Sequence, residues 1–468
     1  MWSRASVGVV ALAAVVGAGA AAPPAAAPAP QLAAAPAPQL AAAAAASDAD
    51  VGGQALSSTC SPTPANRPVC SADAPLTTAT FLDPTARVRR PTSVQLGERV
   101  YVAPFARLIA GRRAPIAVGN ESNLQDNVAV TAEPSRSAAE LARLAAVGLA
   151  PADGVRTGER VILAHGSSVR GPARLGVLAE GEPAPEEDSG VFLSFGAQVD
   201  GAVLERDTTL SALSRVGPGV RLRSGFVVLP GKNVTTQAQA DNPALGKVRP
   251  IAEADRLFNE AVVHVNVGLA REYSRLARDD PSAIRGINLD PGNNDFDRTR
   301  DAPTVESALC TGPSVRRPEF RNRLIGDACF ADSVGRLDAA MGRRISIRAD
   351  EGGPLGVGQI TRMGNAVIFH ALEGTNLRVG DRVRYGRRVL VHGGGRPTLD
   401  PHTGEAAPTI VGNDVRLGNG SIVFRSLVRN RGRVGARSAV VGSETAVGQR
   451  IPPRTIYANN EVFGPVEW

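Results

Sequence analysis

Aliphatic side chains recur about every six residues through much of this chain, often followed by glycine and two polar residues. A clear stretch, GVFLSFGAQVDGAVLERDTTLSALSRVGPGVRLRSG, ends at Gly225. In such a chain each six-residue unit forms one short face of a triangular coil, and its aliphatic residue fills the interior. Glycine (50 residues) and proline (35) are frequent, which favours turns over long amphipathic helices. The pattern predicts a mainly β fold of left-handed parallel β-helices.

The six-residue pattern occurs in two copies, which we assign to residues 77–278 and 323–468. The first copy ends with ADRLFNEAVVHVNVGLAREYSRLAR, at 254–278, where apolar residues lie three and four positions apart. This spacing predicts an α-helix that packs on the first β-helix. A polar stretch rich in Asp, Asn and Pro follows, and we assign 279–322 as a linker. We therefore predict two tandem β-helices, the first followed by a C-terminal α-helix.

The N-terminus has the pattern of a secretory signal peptide. Arg4 precedes an apolar run from Val7 to Ala22 that ends in small residues. We predict cleavage after this run, so that 1–22 is a leader and the mature protein is secreted or extracytoplasmic, without stable membrane insertion. An uncleaved anchor is the alternative, because about 17 apolar residues can span a bilayer. Residues 23–76 are dominated by Ala and Pro, and most of this segment is predicted to be a flexible spacer.

Four cysteines allow three disulfide pairings, and export would make disulfides possible. We predict that Cys60 pairs with Cys70 and that Cys310 pairs with Cys329, each bond closing a short loop outside the repeats. Free buried thiols are the alternative. None of the cysteines has a spacing typical of a metal site.

The formal net charge of +7 raises the question of an anionic partner. Only Lys232 and Lys247 are lysines, so the positive charge comes almost entirely from arginines. These arginines are scattered along the sequence, usually close to Asp or Glu, and lack interleaved aromatic residues on which nucleic-acid bases could stack. We interpret the charge as a compositional bias and predict no nucleic-acid partner.

The chain has five histidines, at positions His165, His264, His370, His392 and His402. Three segments of the first copy, NLQDNVAV, VILAHGSSVRGPARLG and NEAVVHVNVGLAREY, resemble γ-class carbonic anhydrases. In the second copy, ISIRADEGGPLGVG, AVIFHALEG and VRYGRRVLVHGG resemble other segments of the same family. The resemblance covers most of 79–278 and about 323–465, and its motifs are more specific than the six-residue texture.

The resemblance implies a metal site between neighbouring β-helices, with two histidines from one β-helix and the third from the next. The metal would be zinc, with iron or cobalt as alternatives. The family's three ligand positions fall at Thr131, His165 and Arg170 in the first copy, and at His370, Arg387 and His392 in the second. Neither copy alone has three ligands, so the resemblance implies one composite site formed by His165, His370 and His392. Since one coil takes about eighteen residues, His370 and His392 can stack on adjacent coils once a short loop is allowed for.

Eight further residues occupy functional positions of the family, and the implied reaction is the hydration of carbon dioxide to bicarbonate. Amide side chains that would orient the reactants lie at Asn123, Gln125 and Asn266. Carboxylates that would carry the proton to solvent lie at Glu351 and Glu373. Residues that would fix the ligands across the interface are Asp126, Arg348 and Asp350.

Two other functions stay open from the sequence. One is a non-catalytic β-helix scaffold, and the other is a hexapeptide acyltransferase, whose cytosolic acyl donors fit an exported chain poorly. The family is trimeric, so we also expect that an oligomer could complete a threefold arrangement of β-helices. Of the remaining histidines, His264 is predicted to be a packed structural residue of the helix, and His402 a solvent-exposed loop residue.

Overall fold

The computed structural model describes residues 60–70, 75–178, 189–279, 322–326, 328–332, 334–351, 355–372, 375–397 and 407–468. These residues form two three-sided parallel β-helices of left-handed type, which confirms the fold class predicted from the six-residue pattern. The predicted leader at 1–22 lies outside the described residues, as do most of the spacer and nearly all of the linker.

Three sheets form the faces of the first β-helix. Face 1a contains β1 (Val69–Cys70), β2 (Thr80–Leu82), β5 (Tyr101–Val102), β8 (Asn123–Leu124), β11 (Val161–Leu163), β14 (Val191–Leu193), β17 (Thr208–Leu210), β20 (Phe226–Val228) and β22 (Val248–Pro250). Face 1b contains β4 (Val94–Leu96), β7 (Ile116–Val118), β10 (Val155–Thr157), β13 (Ala173–Val177), β16 (Val203–Glu205) and β19 (Arg221–Leu222). Face 1c contains β3 (Arg87–Arg89), β6 (Arg107–Ile109), β9 (Ala129–Thr131), β12 (Ser168–Arg170), β15 (Gln198–Asp200), β18 (Arg215–Val216) and β21 (Asn233–Val234).

The second β-helix also has three faces. Face 2a contains β23 (Arg323–Gly326), β25 (Ser346–Ala349), β28 (Ile368–His370), β31 (Leu390–His392), β34 (Ile422–Phe424), β37 (Ala439–Val441), β39 (Thr455–Ala458) and β40 (Glu461–Pro465). Face 2b contains β24 (Ala328–Phe330), β26 (Leu355–Val357), β29 (Leu377–Val379), β32 (Thr409–Val411) and β35 (Leu427–Val428). Face 2c contains β27 (Ile360–Met363), β30 (Val383–Tyr385), β33 (Arg416–Leu417), β36 (Arg433–Val434) and β38 (Arg450–Ile451).

Columns of aliphatic side chains fill the interior of each β-helix. Along face 1a, strand register stacks one buried residue per coil, in the order Leu82, Val102, Leu124, Leu163, Leu193, Leu210 and Val228. Full burial of one such side chain contributes about 1.5–3 kcal/mol. The six-residue spacing thus places these side chains in one continuous core.

Antiparallel strands close the sheets at their ends. On face 1a, β1 pairs with β2 and β22 pairs with β20, while on face 2a β40 pairs with β39. Such pairing limits the number of unpaired backbone groups that an open sheet edge exposes. The disulfide between Cys60 and Cys70 ties the segment before β1 to this end of the first β-helix. Cys329 is also disulfide-bonded, and its predicted partner Cys310 lies outside the described residues.

Four α-helices lie among the described residues: α1 (Ala138–Ala146), α2 (Gln237–Asp241), α3 (Glu253–Asp279) and α4 (Val334–Ala340). The longest, α3, corresponds to the helix predicted at 254–278 and packs on β2 and β5 of face 1a. Its buried side includes Leu269, Ala270 and Tyr273. Within the described parts of the chain, no helix combines the length and apolar character needed to cross a membrane.

The two β-helices pack against each other through faces 1a and 2a. Ile162 and Phe195 of the first copy join Ile368 and Leu390 of the second in one buried apolar cluster. Two polar contacts flank it: Arg323 lies 2.7 Å from Asp83 in a buried ion pair, and the indole of Trp468 donates to the Leu213 carbonyl at 2.7 Å. The contact between the two β-helices is therefore made within one chain.

Tight coil stacking yields a stability prediction for two glycines of positive φ. At Gly154 (φ 68°) an added Cβ would lie 2.0 Å from the Pro115 carbonyl oxygen, whereas at Gly225 (φ 78°) it would have open space. We expect Gly225→Ala to lose about 1–2 kcal/mol, the cost of left-handed backbone. Gly154→Ala should lose at least about 1–3 kcal/mol more, because the added Cβ overpacks the Pro115 carbonyl and because φ 68° with ψ −135° is a backbone conformation that only glycine adopts readily. Denaturant unfolding measures both variants, and equal losses would contradict the steric argument.

Candidate metal centre

Three histidines lie together where faces 1a and 2a meet. His370 and His392 end strands β28 and β31, and the register places them directly opposite each other on adjacent coils. His165 comes from the first β-helix, in the turn after β11, where Gly166 adopts a φ of 69°. Each histidine is only 2% exposed. Folding therefore brings together the three residues that the resemblance divided between the two copies.

One ring nitrogen of each histidine points towards a common centre. Nε2 of His165 lies 3.2 Å from Nδ1 of His370, and the same Nδ1 lies 3.2 Å from Nε2 of His392. Two imidazole nitrogens bound to one tetrahedral zinc ion at 2.0–2.1 Å would be about 3.3 Å apart. The three donor atoms lie within 4.8 Å of one another, so the set fits a metal ion held by three imidazoles.

The second ring nitrogen of each histidine faces an oxygen atom. Nδ1 of His165 lies 3.1 Å from Asp126, and Nδ1 of His392 lies 2.6 Å from the carbonyl oxygen of the next residue, Gly393. Nε2 of His370 lies 3.3 Å from both Asp350 and Glu351. An acceptor behind the ring favours a proton on that nitrogen and leaves the opposite lone pair free for a metal.

Burial keeps two of the imidazoles neutral. It lowers the pKa of His165 to about 4, and together with the neighbouring histidines it holds the pKa of His392 well below its usual value. The pKa of His370 is also lowered by burial, but Glu351 and Asp350 outweigh that effect, and its pKa is raised. His165 and His392 are therefore in the neutral form that binds metals at pH 7.

A second group of potential ligands, Asp350, Glu351 and His370, shares one histidine with the first. Asp350 is already engaged there, because Arg348 lies 2.5 Å from its carboxylate and Tyr273 donates a hydrogen bond to it. In the three-histidine group, by contrast, one nitrogen of each ring faces the other histidines. We therefore take the three histidines as the candidate metal ligands.

A buried charge network connects the two β-helices beside the histidines. The Arg348 guanidinium of the second copy lies 3.1 Å from Asp126 of the first, and Ser346 donates a hydrogen bond to the same carboxylate. Burial raises the pKa of Asp126, but Arg348 and the hydrogen bond with His165 outweigh it and hold that pKa below its ordinary range. The predicted interface residues Asp126, Arg348 and Asp350 thus lie directly behind the predicted ligands.

The amides of Asn123 and Gln125 lie on the same segment of face 1a. Gln125 Oε1 accepts a hydrogen bond from the His165 backbone N–H at 3.2 Å. Asn123 is fully buried, and neither polar atom of its amide has a hydrogen-bond partner among the described residues. A buried amide left unpaired costs about 1–3 kcal/mol. The position fits an amide retained to contact a small molecule.

The remaining predicted residues are one amide on α3 and two residues outside the described chain. Asn266 is buried on α3, where its amide nitrogen donates to a carbonyl of the same helix at 2.9 Å. Glu373 and His402 lie outside the described residues. The prediction that His264 is packed is wrong, because Val263 takes the buried side of α3 at this point and His264 is exposed.

Sequence reasoning missed the aromatic residues around the centre. The Phe195 ring lies 4.9 Å from the His392 ring, and Phe424 lies 5.5 Å from it. Together with Phe192 and Phe258, these rings line a cavity of about 80 Å³ between α3 and the two β-helices. Within the six-residue pattern these positions look like any apolar position, so the sequence carries no signal that separates them.

The chain resembles a characterised protein over part of its length. It is 32% identical over 210 residues to a carbonic anhydrase of Methanosarcina thermophila, a match that covers 42% of this chain and 76% of that protein. No protein-family model matches the chain.

Solved structures give weaker similarities. A hexapeptide transferase family protein of Anaplasma phagocytophilum has 16% identity and a TM-score of 0.19, covering 42% of this chain and 93% of the other. The UDP-N-acetylglucosamine acyltransferase of Arabidopsis has 8% identity and a TM-score of 0.16, covering 82% and 74%. Scores this low support no statement about function.

The buried network predicts a large cost for removing its cation. Arg348→Met leaves Asp126 buried without its main counter-charge, and we expect a loss of about 3–5 kcal/mol in unfolding free energy at pH 7. The control is Arg382→Met, which breaks the exposed ion pair with Asp414 and should cost less than about 1 kcal/mol. Denaturant unfolding of the metal-free proteins measures both, and similar losses would count against the network.

The same pair predicts how the loss depends on pH. In the native protein the pKa of Asp126 is depressed, so its stabilising effect is present above the unfolded value of about 4 and declines below it. In Arg348→Met, burial is no longer opposed by Arg348, so the pKa of Asp126 should rise and protonation should relieve the unpaired charge. The stability difference from wild type should therefore shrink between pH 7 and pH 4. A constant difference would be the contrary result.

Proposed function

Because the chain belongs to the γ-class carbonic anhydrase family, we propose that it catalyses the reversible hydration of carbon dioxide to bicarbonate at one composite site. The observation that carries the proposal is the convergence of three buried histidine nitrogens, contributed by two β-helices of one chain. The family's other three ligand positions hold Thr131, Arg170 and Arg387, none of which carries an imidazole. We therefore propose a single metal site per chain.

The proposed metal is zinc, held by His165, His370 and His392. Three neutral nitrogen donors with an open fourth position are typical of catalytic zinc sites, although iron or cobalt also accept imidazole ligands. When bound, zinc would lower the pKa of a coordinated water towards 7 and so supply the nucleophile at neutral pH. Asp126 and the Gly393 carbonyl would hold two of the rings in the orientation that binding requires.

The amides of the first copy would orient the reactants. Gln125 uses its oxygen to accept from the His165 backbone, which leaves its NH₂ group as a donor towards an oxygen of carbon dioxide or bicarbonate. Asn123 carries a donor and an acceptor without a partner among the described residues. Asn266 is proposed as a third orienting amide, through the oxygen that its helix contact leaves unused.

Glu351 would carry the proton away from the centre. Hydration of carbon dioxide by water yields bicarbonate and one proton, so each turnover needs a group that accepts this proton and passes it to solvent. The Glu351 carboxylate lies 3.3 Å from Nε2 of His370, and the residue keeps 8% of its surface exposed, which supports this role. Glu373, outside the described residues, is proposed as the next acceptor.

The alternatives have less support. A scaffold without activity would fit two copies whose histidines do not meet, whereas the three rings lie within contact of one another. The acyltransferase alternative has no specific observation in its favour.

We also propose that the protein is exported after cleavage of the leader, and the Cys60–Cys70 disulfide supports this. A larger assembly that completes a threefold ring is a further proposal.

Single histidine variants test the composite site. Because two ligands come from one β-helix and one from the other, we expect both His165→Ala and His392→Ala to lose bound metal from near one equivalent per chain, and to lose carbon dioxide hydration down to the uncatalysed rate. The exposed His264→Ala is the matched control and should keep both. Elemental analysis and stopped-flow hydration assays supply the readouts. A metal-free, inactive wild type would refute the proposal.

Replacing Glu351 separates proton transfer from the chemical step. For Glu351→Gln we expect a loss of about 10²-fold or more in kcat, with kcat/KM for carbon dioxide and metal content nearly unchanged, since the proton acceptor is lost while the ligands stay. A small external buffer should restore kcat by accepting the proton in its place. Loss of metal, or of kcat and kcat/KM together without buffer rescue, would show that Glu351 acts in some other way.

A further inference from the structure

Five arginines form one exposed column on face 2c. Parallel register places Arg362 beside Arg384, Arg384 beside Arg416, Arg416 beside Arg433, and Arg433 beside Arg450. All five side chains are exposed. Neighbouring strands lie about 4.8 Å apart, so this arginine column runs for about 19 Å along the β-helix. The arginines that look scattered in the sequence are therefore aligned in space.

The arginine column has no counter-charge among the described residues. None of its five guanidinium groups takes part in an ion pair there. Several arginines elsewhere are paired: Asp414 lies 2.8 Å from Arg382, and Asp200 of face 1c pairs with Arg215 at 2.7 Å. Like charges on directly paired strand positions oppose sheet stability. An uncompensated column of this kind is thus better explained by an external anion than by folding.

The positive surface continues towards the junction with the first β-helix. Arg344 and Arg388 lie in turns that flank face 2c, and both lie close to Arg107 of face 1c. Burial lowers the pKa of Arg107, and these two arginines, with Arg87, lower it further. The charge is therefore not confined to one strand but extends across the side of the molecule where the two copies adjoin.

We propose that the arginine column is a binding surface for a linear acidic polysaccharide, whose carboxylates on one side of the chain contact the guanidinium groups of the column. The planar guanidinium group matches a carboxylate with two parallel hydrogen bonds. The rigid sheet presents the groups without an ordering cost on the protein side. This inference does not depend on the proposed catalytic function.

Other polyanions fit this face less well. The strands of face 2c expose no aromatic ring on which a base could stack, and their one aromatic residue, Tyr385, is buried. The same strands expose no large apolar side chain that would enter a lipid interface, because their aliphatic residues point into the core. A single file of charges suits one extended chain.

Polygalacturonate is the probe for the test, with the full-length protein at low ionic strength. The column variant combines Arg384→Gln, Arg416→Gln and Arg433→Gln. The control combines Arg113→Gln, Arg156→Gln and Arg378→Gln, three exposed arginines in the turn before face 1b, on face 1b and on face 2b, and so removes the same charge. We expect wild type to bind saturably, the column variant to bind about 10-fold or more weakly, and the control to bind within about 2-fold of wild type.

Binding should weaken as salt screens the charges. Thermal unfolding should show the column variant to be at least as stable as wild type, because like-charge repulsion has been removed. Three outcomes would overturn the proposal: no saturable binding by wild type, equal losses in both triple variants, or tighter binding of polythymidylate or of anionic phospholipid vesicles than of polygalacturonate. Because the experiment measures polysaccharide binding, its result tests the arginine column independently of carbon dioxide hydration.

Discussion

The buried ion pair between Asp126 and Arg348 is the contact on which the candidate site depends. It joins one β-helix to the other, and a charge pair buried this deeply is tolerated only when both partners meet with good geometry. The same groups also support the histidines: Asp126 faces His165, and Asp350, held by Arg348, faces His370. The interaction that sets how the two copies dock therefore also sets how the three imidazoles converge, so docking and site geometry are coupled.

Duplication within one chain changes what each copy needs to preserve. A copy that contributes to one interface needs ligands on one side only, and the three candidate ligands here, His165, His370 and His392, all lie where the two copies face each other. The outer side is then free to diverge. Face 2c of the second copy occupies the position that face 1a occupies in the first copy. Arg387 follows β30 of face 2c in the same way as His165 follows β11 of face 1a. Face 1a is apolar and covered by α3 and the second copy, while face 2c is open and lined with arginine.

Much of the fold could be predicted because the six-residue pattern reports on burial one coil at a time. The interior column from Leu82 to Val228 and the helix α3 both follow from local spacing. The position of His370 opposite His392 follows from coil length plus a short loop. The errors arose where side chains depend on distant partners. His264 was assigned to the packed side of its helix but is exposed, and Phe195 and Phe424 gave no signal.

The sequence by itself determined the repeating coil and the duplication, because both are written in residue type and short-range spacing, and the resemblance of its motifs to carbonic anhydrases implied the complementary ligand histidines. Only the tertiary structure decided that His165 meets His370 and His392 within one chain, since no local pattern specifies how two rigid β-helices dock. The tertiary structure likewise decided how the arginines are arranged in space. Arginines 17 to 32 residues apart in sequence, such as Arg384, Arg416 and Arg433, become neighbours because parallel coils stack them in register.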